Sequence, residues 1–152
     1  MNLIQEYTTL ISAIFTNSPK DPLKHVEMKH VLWPGYSALT WAGLLVTRPG
    51  YKLGQVTKTH EDIHRQQAEI LGSYWLFYLL YLWQYLCGLF ILWNPTAAYY
   101  TISLECQAYG NEYDKDYKVS KENMKLYRIK NKRKVWKENK NRWKVYCSSI
   151  EL

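Results

Sequence analysis

Apolar residues recur at intervals of three and four positions over the first sixteen residues. They are Leu3, Ile4, Tyr7, Leu10, Ile11, Ile14 and Phe15, and Asn17-Ser18-Pro19 follows them. This spacing predicts a short amphipathic helix over residues 1–16. Because the helix has no basic face, we expect its apolar side to pack in the core, with a membrane-surface anchor as the alternative.

The next apolar segment has the pattern of a strand. Residues 17–36 contain three prolines and predict an extended loop. Residues 38–48 are apolar and partly β-branched, and Pro49-Gly50 follows them, so we expect one strand that turns at residues 48–51 within a hairpin over about 38–58. The exposed edge of such a strand can hold an extended peptide through backbone hydrogen bonds.

Residues 73–93 form an uncharged run rich in aromatic and aliphatic side chains. The run is long enough to span a bilayer, which takes about 20 apolar residues. Its aromatic residues are scattered along its length, and Gln84 and several tyrosine hydroxyls would need polar partners in lipid. A buried or membrane-dipping helix and a true span both remain open.

Residues 57–67 contain two histidines four positions apart, with a glutamate directly after the first. On one helix His60 and His64 share a face and can bind one metal ion, with Glu61 as the general base. Thr59 is expected to cap a helix that starts at this point. This helix would be continuous with the aromatic helix through residue 93, unless Gly72 or Gly88 bends it. The same His-Glu-x-x-His pattern also occurs on ordinary amphipathic helices that bind no metal.

A further helix is predicted over residues 96–118, since Asn94-Pro95 is a typical helix start. Glu105, Tyr109 and Glu112 share one face of that helix by their spacing. Taken alone, the face is typical of a solvated acidic surface. Catalytic zinc usually takes three protein ligands and leaves a fourth position for water, so Glu105 is the natural third ligand.

Charge divides the chain into two parts. Residues 117–146 carry twelve Lys or Arg and two Glu, whereas the remainder has more acidic than basic residues. Residues 119–152 therefore read as a basic tail, with Trp136, Trp143 and Tyr146 among its lysines. A solvated helix and a segment that binds nucleic acid or anionic lipid are the two interpretations.

The chain carries no pattern of a secretory signal, and we expect a cytoplasmic protein with membrane association as an option. Its three cysteines are odd in number and lack a CxxC spacing, which favours reduced thiols.

An ordered series of segments extends the histidine motif. It consists of residues 35–40, Lys52-Leu53, Thr57, residues 60–67 and residues 102–112. The series resembles a family of small zincin-like proteins from Bacteroidetes bacteria and their phages, over about residues 33–117. The resemblance implies a strand, an HExxH helix with a following Gln, a long aromatic-rich helix and a later Ser-Phe-Glu-x-Glu-Ala-Tyr motif.

This resemblance implies roles for particular residues. It marks His60, His64 and Glu105 as metal ligands and Glu61 as the base, and it draws attention to Gln67 and Tyr109. Leu104 stands where the family has phenylalanine, and Gln107 stands where it has a second glutamate. If that second glutamate is the family's third ligand, this chain has lost it.

We therefore expect a mainly α protein of α+β class, with a small antiparallel hairpin and a minimal zincin-like core in residues 1–118. The predicted function is zinc-dependent hydrolysis of peptide bonds in a peptide or protein substrate, with Glu61 moving the proton. Tyr109 would stabilise the oxyanion or orient a ligand, and Gln67 and Glu112 would support the ligands from behind.

Two other functions are compatible with the sequence. One is a non-catalytic structural or virion-associated protein. The other is a small membrane-associated protein that contacts a bilayer through residues 73–93 and its basic tail.

Overall fold

A computed structural model describes residues 2–30 and 38–150 of the chain. The described residues form eight helices and three strands. In chain order they are α1 (Leu3–Thr16), β1 (Lys24–Glu27), β2 (Ala38–Trp41), β3 (Leu44–Thr47), α2 (Gln55–Leu71), α3 (Tyr74–Leu92), α4 (Pro95–Tyr100), α5 (Ser103–Asn111), α6 (Lys121–Leu126), α7 (Lys132–Asn139) and α8 (Trp143–Ser148). The expected mainly helical α+β class is confirmed. Gly35, Tyr36 and Ser37, where the family resemblance begins, lie outside the described residues.

The sheet is small and mixed, with the order β1-β3-β2. β2 and β3 form an antiparallel hairpin in which Thr40 lies opposite Leu45. Ala42 and Gly43 link them with φ of 46° and 82°, the conformation of a two-residue hairpin turn. The prediction of one strand over 38–48 was therefore wrong, because the chain already reverses at Ala42-Gly43 and the hairpin ends at Thr47.

β1 pairs in parallel with β3 and lies in the region that we expected to be loop. β3 is central and its four residues are all buried. β2 lies at an edge of the described sheet.

α1 begins with a capping box in which Asn2 accepts from the backbone N–H of Gln5. Only Glu6, Leu10 and Ala13 of this helix are buried. The buried Glu6 carboxylate accepts from the backbone N–H groups of Lys29 and His30, at 2.9 Å each. The expected burial of the whole apolar side was wrong, because Leu3, Ile4, Tyr7, Ile11 and Phe15 are exposed.

α2 and α3 are separate helices. α2 begins after Gly54, five residues before the expected cap at Thr59, and ends at Gly72, whose φ is 94°. That left-handed conformation suits glycine and ends a helix. Ser73 then caps α3 by accepting from the backbone N–H of Leu76.

The predicted helix over residues 96–118 is also two helices. Asn94 caps α4 as expected, with Pro95 in its first turn. The helical conformation is interrupted at Thr101-Ile102. α5 then carries Glu105 and Tyr109 and ends at Asn111. Glu112 is the residue that follows α5.

The basic segment folds into α6, α7 and α8. Trp143 and Cys147 of α8 are buried in a cluster with Cys106 of α5 and with Tyr127. The Cys106 and Cys147 thiol sulfurs lie 2.6 Å apart. α8 therefore packs directly on the helix that carries Glu105.

α3 buries one face and exposes the other. The buried residues are Tyr74, Phe77 and Gly88. We call the exposed row of large apolar residues the α3 stripe; it consists of Trp75, Leu76, Leu79, Leu82, Trp83, Leu86, Phe90 and Ile91, with Trp93 just after the helix. Among the described helices, α3 alone has the length and apolarity to cross a membrane, and only 11% of its most apolar window is buried.

Candidate metal centre

His60 and His64 lie on the buried side of α2, one turn apart. Their rings pack edge to face with centroids 4.9 Å apart, and Ile63 and Gln67 of the same helix are buried with them. This follows from the i, i+4 spacing, which places both imidazoles over one stretch of the helix surface. α2 therefore presents two ring nitrogens toward α5.

Glu105 in the first turn of α5 completes the group. Its Oε2 lies 3.4 Å from His60 Nε2 and its Oε1 lies 3.5 Å from His64 Nε2. The three candidate ligand atoms lie within 4.8 Å of one another. The structure thus brings together the three residues predicted from the sequence.

These separations fit a small divalent ion. Zinc takes nitrogen and oxygen ligands at about 2.0–2.2 Å in tetrahedral geometry, which sets ligand atoms about 3.4 Å apart. Two imidazole nitrogens and one carboxylate oxygen are also the donors that a catalytic zinc site uses. The three residues therefore fit a zinc ion.

Each histidine is held by its other ring nitrogen. His60 Nδ1 lies 3.0 Å from Glu112 Oε2, and His64 Nδ1 lies 2.8 Å from Gln67 Oε1. Since both partners are acceptors, both Nδ1 atoms donate a proton. This arrangement leaves Nε2 of each ring directed at the shared position, as in other histidine metal sites.

A chain of amides fixes the orientation of Gln67. The backbone N–H of Ser120 donates to Asn123 Oδ1, and that oxygen also accepts from Gln107 Nε2. Gln107 Oε1 is thereby left to accept from Gln67 Nε2, at 2.9 Å. Gln67 Oε1 must then face His64. Gln107 stands where the resembling family has glutamate, and it fixes the orientation of His64 through Gln67.

Three tyrosines surround the carboxylate. Tyr81 Oη donates to Glu105 Oε1 at 2.7 Å, and Tyr99 Oη donates to Glu105 Oε2 at 3.0 Å. The only hydroxyl proton of Tyr99 is therefore used, so Tyr109 donates across the 3.0 Å contact between the two hydroxyls. Burial raises the pKa of Tyr81 and Tyr99, and the charge of Glu105 raises it further.

Without a metal, the His60 imidazole is protonated at neutral pH. Burial lowers the pKa of His60, but hydrogen bonds to Glu105 and Glu112 outweigh burial and raise that pKa to about 9. Burial raises the pKa of Glu105, yet His64 and His60 together hold it well below 4.5. The metal-free site at neutral pH is a buried imidazolium beside an ionised carboxylate.

Glu112 is also paired with the basic segment. Its Oε1 accepts from Lys144 Nζ at 2.7 Å. Burial raises the pKa of Glu112, but hydrogen bonds to His60 and Lys144 outweigh it and lower the pKa. α8 therefore contributes to the group that holds His60.

The cluster lies in a cleft of about 730 Å³. Glu61 and Tyr109 line it, and so do Thr40 and Trp41 of β2. The Thr40 hydroxyl is buried without a hydrogen-bond partner. Glu61 therefore shares a cavity with the three candidate ligands, beside an edge strand.

Sequence analysis missed Tyr81, Tyr99 and Lys144. Tyr81 lies in the aromatic run, where its spacing of three from Tyr78 and four from Tyr85 marks one helix face. Tyr99 stands six residues before Glu105, across a helix break. Nothing in the local sequence distinguishes Lys144 from the other lysines of the basic segment.

Comparisons of the chain with protein-family models, with curated proteins and with solved structures give no match. The zincin-like resemblance therefore stays a prediction, and function must be argued from the geometry of the cluster.

Proposed function

We propose that the protein is a metal-dependent hydrolase of peptide bonds, with zinc held by His60, His64 and Glu105. One observation carries the proposal. Both Nε2 atoms and the carboxylate face one position, while both Nδ1 atoms are bonded to fixed acceptors. An orientation set from behind in this way is characteristic of metal-binding histidines.

Each residue in the cleft has a role in this reaction. A bound zinc ion would supply Lewis acidity toward a carbonyl group and toward water. Glu61 accepts a proton from the attacking water and passes it to the amine nitrogen that leaves. Tyr109, whose proton is directed at Tyr99, positions Glu105 through that hydroxyl. This favours the orienting role over oxyanion stabilisation.

The edge strand supports a peptide substrate. β2 pairs with β3 on one side and lines the cleft with residues 38–41. An extended peptide can add to such an edge through backbone hydrogen bonds. The strand expected to hold substrate is therefore β2, because β3 is paired on both sides.

The first experiment is metal analysis of the purified protein after zinc is supplied and excess is removed. We expect one zinc per chain in the wild type and sharp loss in Glu105→Gln, which keeps the side-chain size. Glu69→Gln on the exposed side of α2 is the matched control and should retain the metal. A wild type that takes up no metal would refute the proposal.

The second experiment tests the base. Glu61→Gln should keep its zinc and lose about 10²–10⁴-fold in turnover of a peptide substrate, the usual contribution of a general base. If this variant is as active as the wild type, Glu61 does not carry the proton.

A non-catalytic role is the second candidate function. The charged His60 between Glu105 and Glu112 already forms a paired buried network without an ion. Such a network can fix how α2, α5 and α8 pack. Absence of zinc from the wild type, together with unfolding of Glu105→Gln, would favour this role.

We also propose that the protein works at a membrane surface. The support is the α3 stripe, because exposed apolar patches of this extent mark interaction sites. A span is disfavoured by the charged neighbours of α3. Tyr81, near the middle of α3, donates to the Glu105 carboxylate, and a charge at that position would lie at bilayer depth in a spanning helix.

A further inference from the structure

A second cleft lies on the other flank of α3, away from the candidate metal centre. It encloses about 1060 Å³ between α3, α6 and α7. Leu80, Trp83, Cys87 and Ile91 of α3 form an apolar wall. Six cations also line the cleft, namely Lys121, Lys125, Arg128, Lys130, Lys132 and Arg133.

None of these cations forms an ion pair in the described part of the chain, although the neighbouring Glu122 carboxylate attracts Lys121 and Lys125. No Asp or Glu within residues 2–30 and 38–150 forms an ion pair with any of the six or lines the cleft. Lys132 and Arg133 instead donate to the backbone oxygens of Thr101 and Ile91. Partial burial lowers the pKa of Lys132. The cleft is thus a concave site that is lined by six cations and by no carboxylate among the described residues.

The cleft joins the exposed apolar surface. Trp83 belongs both to its wall and to the α3 stripe, and its side chain is 67% exposed. At the N-terminal end of the stripe, Trp75 packs edge to face on Phe15 of α1, with centroids 5.4 Å apart. The exposed apolar residues of α1 therefore continue the stripe. One surface combines a long apolar row with a cationic cleft at its side.

We propose that this surface docks on a bilayer containing anionic phospholipid, with the α3 stripe among the acyl chains and a lipid phosphate in the cationic cleft. Apolar residues beside a cluster of lysines and arginines match the two halves of such a lipid. The inference rests on the proposed membrane association and is independent of the metal. Leu82 of the stripe also lines the metal cleft, so docking would bring that cleft close to the lipid surface.

Nucleic acid fits the same surface less well. Binding of single strands relies on aromatic rings that stack on bases. The tryptophans of the basic segment are already used, since Trp136 stacks on Tyr100 and Trp143 is only 4% exposed. Of the four aromatic residues in the exposed α3 stripe, only Trp83 lines the cationic cleft, so the stripe does not provide a row of stacking rings beside the cations.

The test is sedimentation of the full chain with vesicles at about 0.15 M salt, where charges more than about 8 Å apart are screened. Vesicles of phosphatidylcholine alone are compared with vesicles containing phosphatidylglycerol. The triple variant Lys125→Gln, Arg128→Gln, Lys130→Gln removes three cleft cations whose side chains form no hydrogen bond or ion pair with the described residues. With a factor of about five for each cation near an anionic surface, we expect its partition onto anionic vesicles to fall on the order of 100-fold.

The matched control is Lys134→Gln, Lys137→Gln, Lys140→Gln, which removes the same charge from exposed positions outside the cleft. This control should retain most of its vesicle binding. Equal loss in both triple variants would overturn the cleft as the binding site. Leu79→Ser with Phe90→Ser should abolish binding to both kinds of vesicle, and full retention would overturn the role of the stripe.

Three further results would overturn the proposal. The first is equal binding to neutral and anionic vesicles. The second is resistance of the bound protein to extraction by alkaline carbonate, because such resistance indicates a membrane span. The third is displacement of the protein from vesicles by an oligonucleotide at a lower concentration than by inositol hexakisphosphate. Zinc content measured on the same samples separates this proposal from the metal proposal, since the cleft variants should keep the ion.

Discussion

At the scale of single residues, the proton on His60 competes with any metal. Because the pKa of His60 is raised to about 9, the imidazole is protonated below that pH and must release the proton to bind an ion. Apparent zinc affinity should therefore rise about tenfold per pH unit, or about 100-fold from pH 6.5 to 8.5. Competition with a chromophoric chelator at each pH measures it.

Glu112→Gln provides the control for this pH dependence. The substitution removes one of the three carboxylates that raise the pKa of His60. The rise in affinity should then level off at a lower pH than in the wild type. Affinity that stays constant from pH 6.5 to 8.5 in the wild type would show that no His60 proton is displaced.

Gln67 sets the orientation of His64, and its removal should weaken the metal site without touching a ligand. Gln67→Leu leaves the His64 Nδ1–H without its acceptor and leaves Gln107 Oε1 unpaired. We expect metal affinity to fall about 10–100-fold, the usual effect of losing such a partner. Gln67→Glu retains an acceptor for His64 and should bind metal more tightly than Gln67→Leu. The reverse order would contradict the role.

The residues of the metal centre were predictable where the geometry is local. His60 and His64 share a face through spacing alone. Tyr81, Tyr99 and Lys144 were not predictable, because their contacts with Glu105 or Glu112 depend on how separate helices pack. The spacing of Tyr81 marks a helix face but does not reveal the carboxylate that this face meets, and Tyr99 and Lys144 have no periodic signal at all.

At the scale of elements, the contact between α5 and α8 is close enough to test with one methyl group. A Cβ at Gly110 would lie 2.7 Å from the backbone oxygen of Cys147. Gly→Ala in an open helix stabilises a protein by about 0.5–1 kcal/mol, whereas overpacking costs about 1–3 kcal/mol. Gly110→Ala should therefore lower the free energy of unfolding, measured by urea denaturation. A stabilising result would mean that α8 does not pack there.

The boundaries of elements were predicted less well than their existence. Asn94-Pro95 marked a helix start correctly because both residues act locally. The hairpin turn was missed because Ala42 has φ of 46°, a conformation that non-glycine residues rarely adopt. The break at Gly72 was anticipated only as a bend.

At the scale of the whole molecule, α3 separates two clefts of different chemistry. Its Tyr81 reaches the candidate metal centre, while its Trp83 lines the cationic cleft. The helix is apolar on every side, so periodicity could not tell which face is buried. The basic segment completes both clefts, through Lys144 in one and through α6 and α7 in the other. It is thus part of the fold rather than a free tail.

Because the three candidate ligands come from α2 and α5, a bound ion should stabilise the whole fold. A ligand that binds only the native state at 100 times its dissociation constant adds about 2.7 kcal/mol. For a chain of this size, that corresponds to a rise of about 5–11 °C in Tm. Differential scanning fluorimetry with zinc and then with excess chelator should show a reversible shift of this size.

The controls for this shift separate binding at the site from zinc held elsewhere. His64→Ala and Glu105→Gln each remove a ligand, so zinc should raise their Tm by less than about a third as much as in the wild type. His25→Ala removes a histidine whose Nε2 contacts Thr47 Oγ1 on the sheet, outside the cluster, and should leave the shift intact. Since native-state binding stabilises all packed elements together, an equal zinc shift in all variants would locate the ion outside the α2–α5 interface.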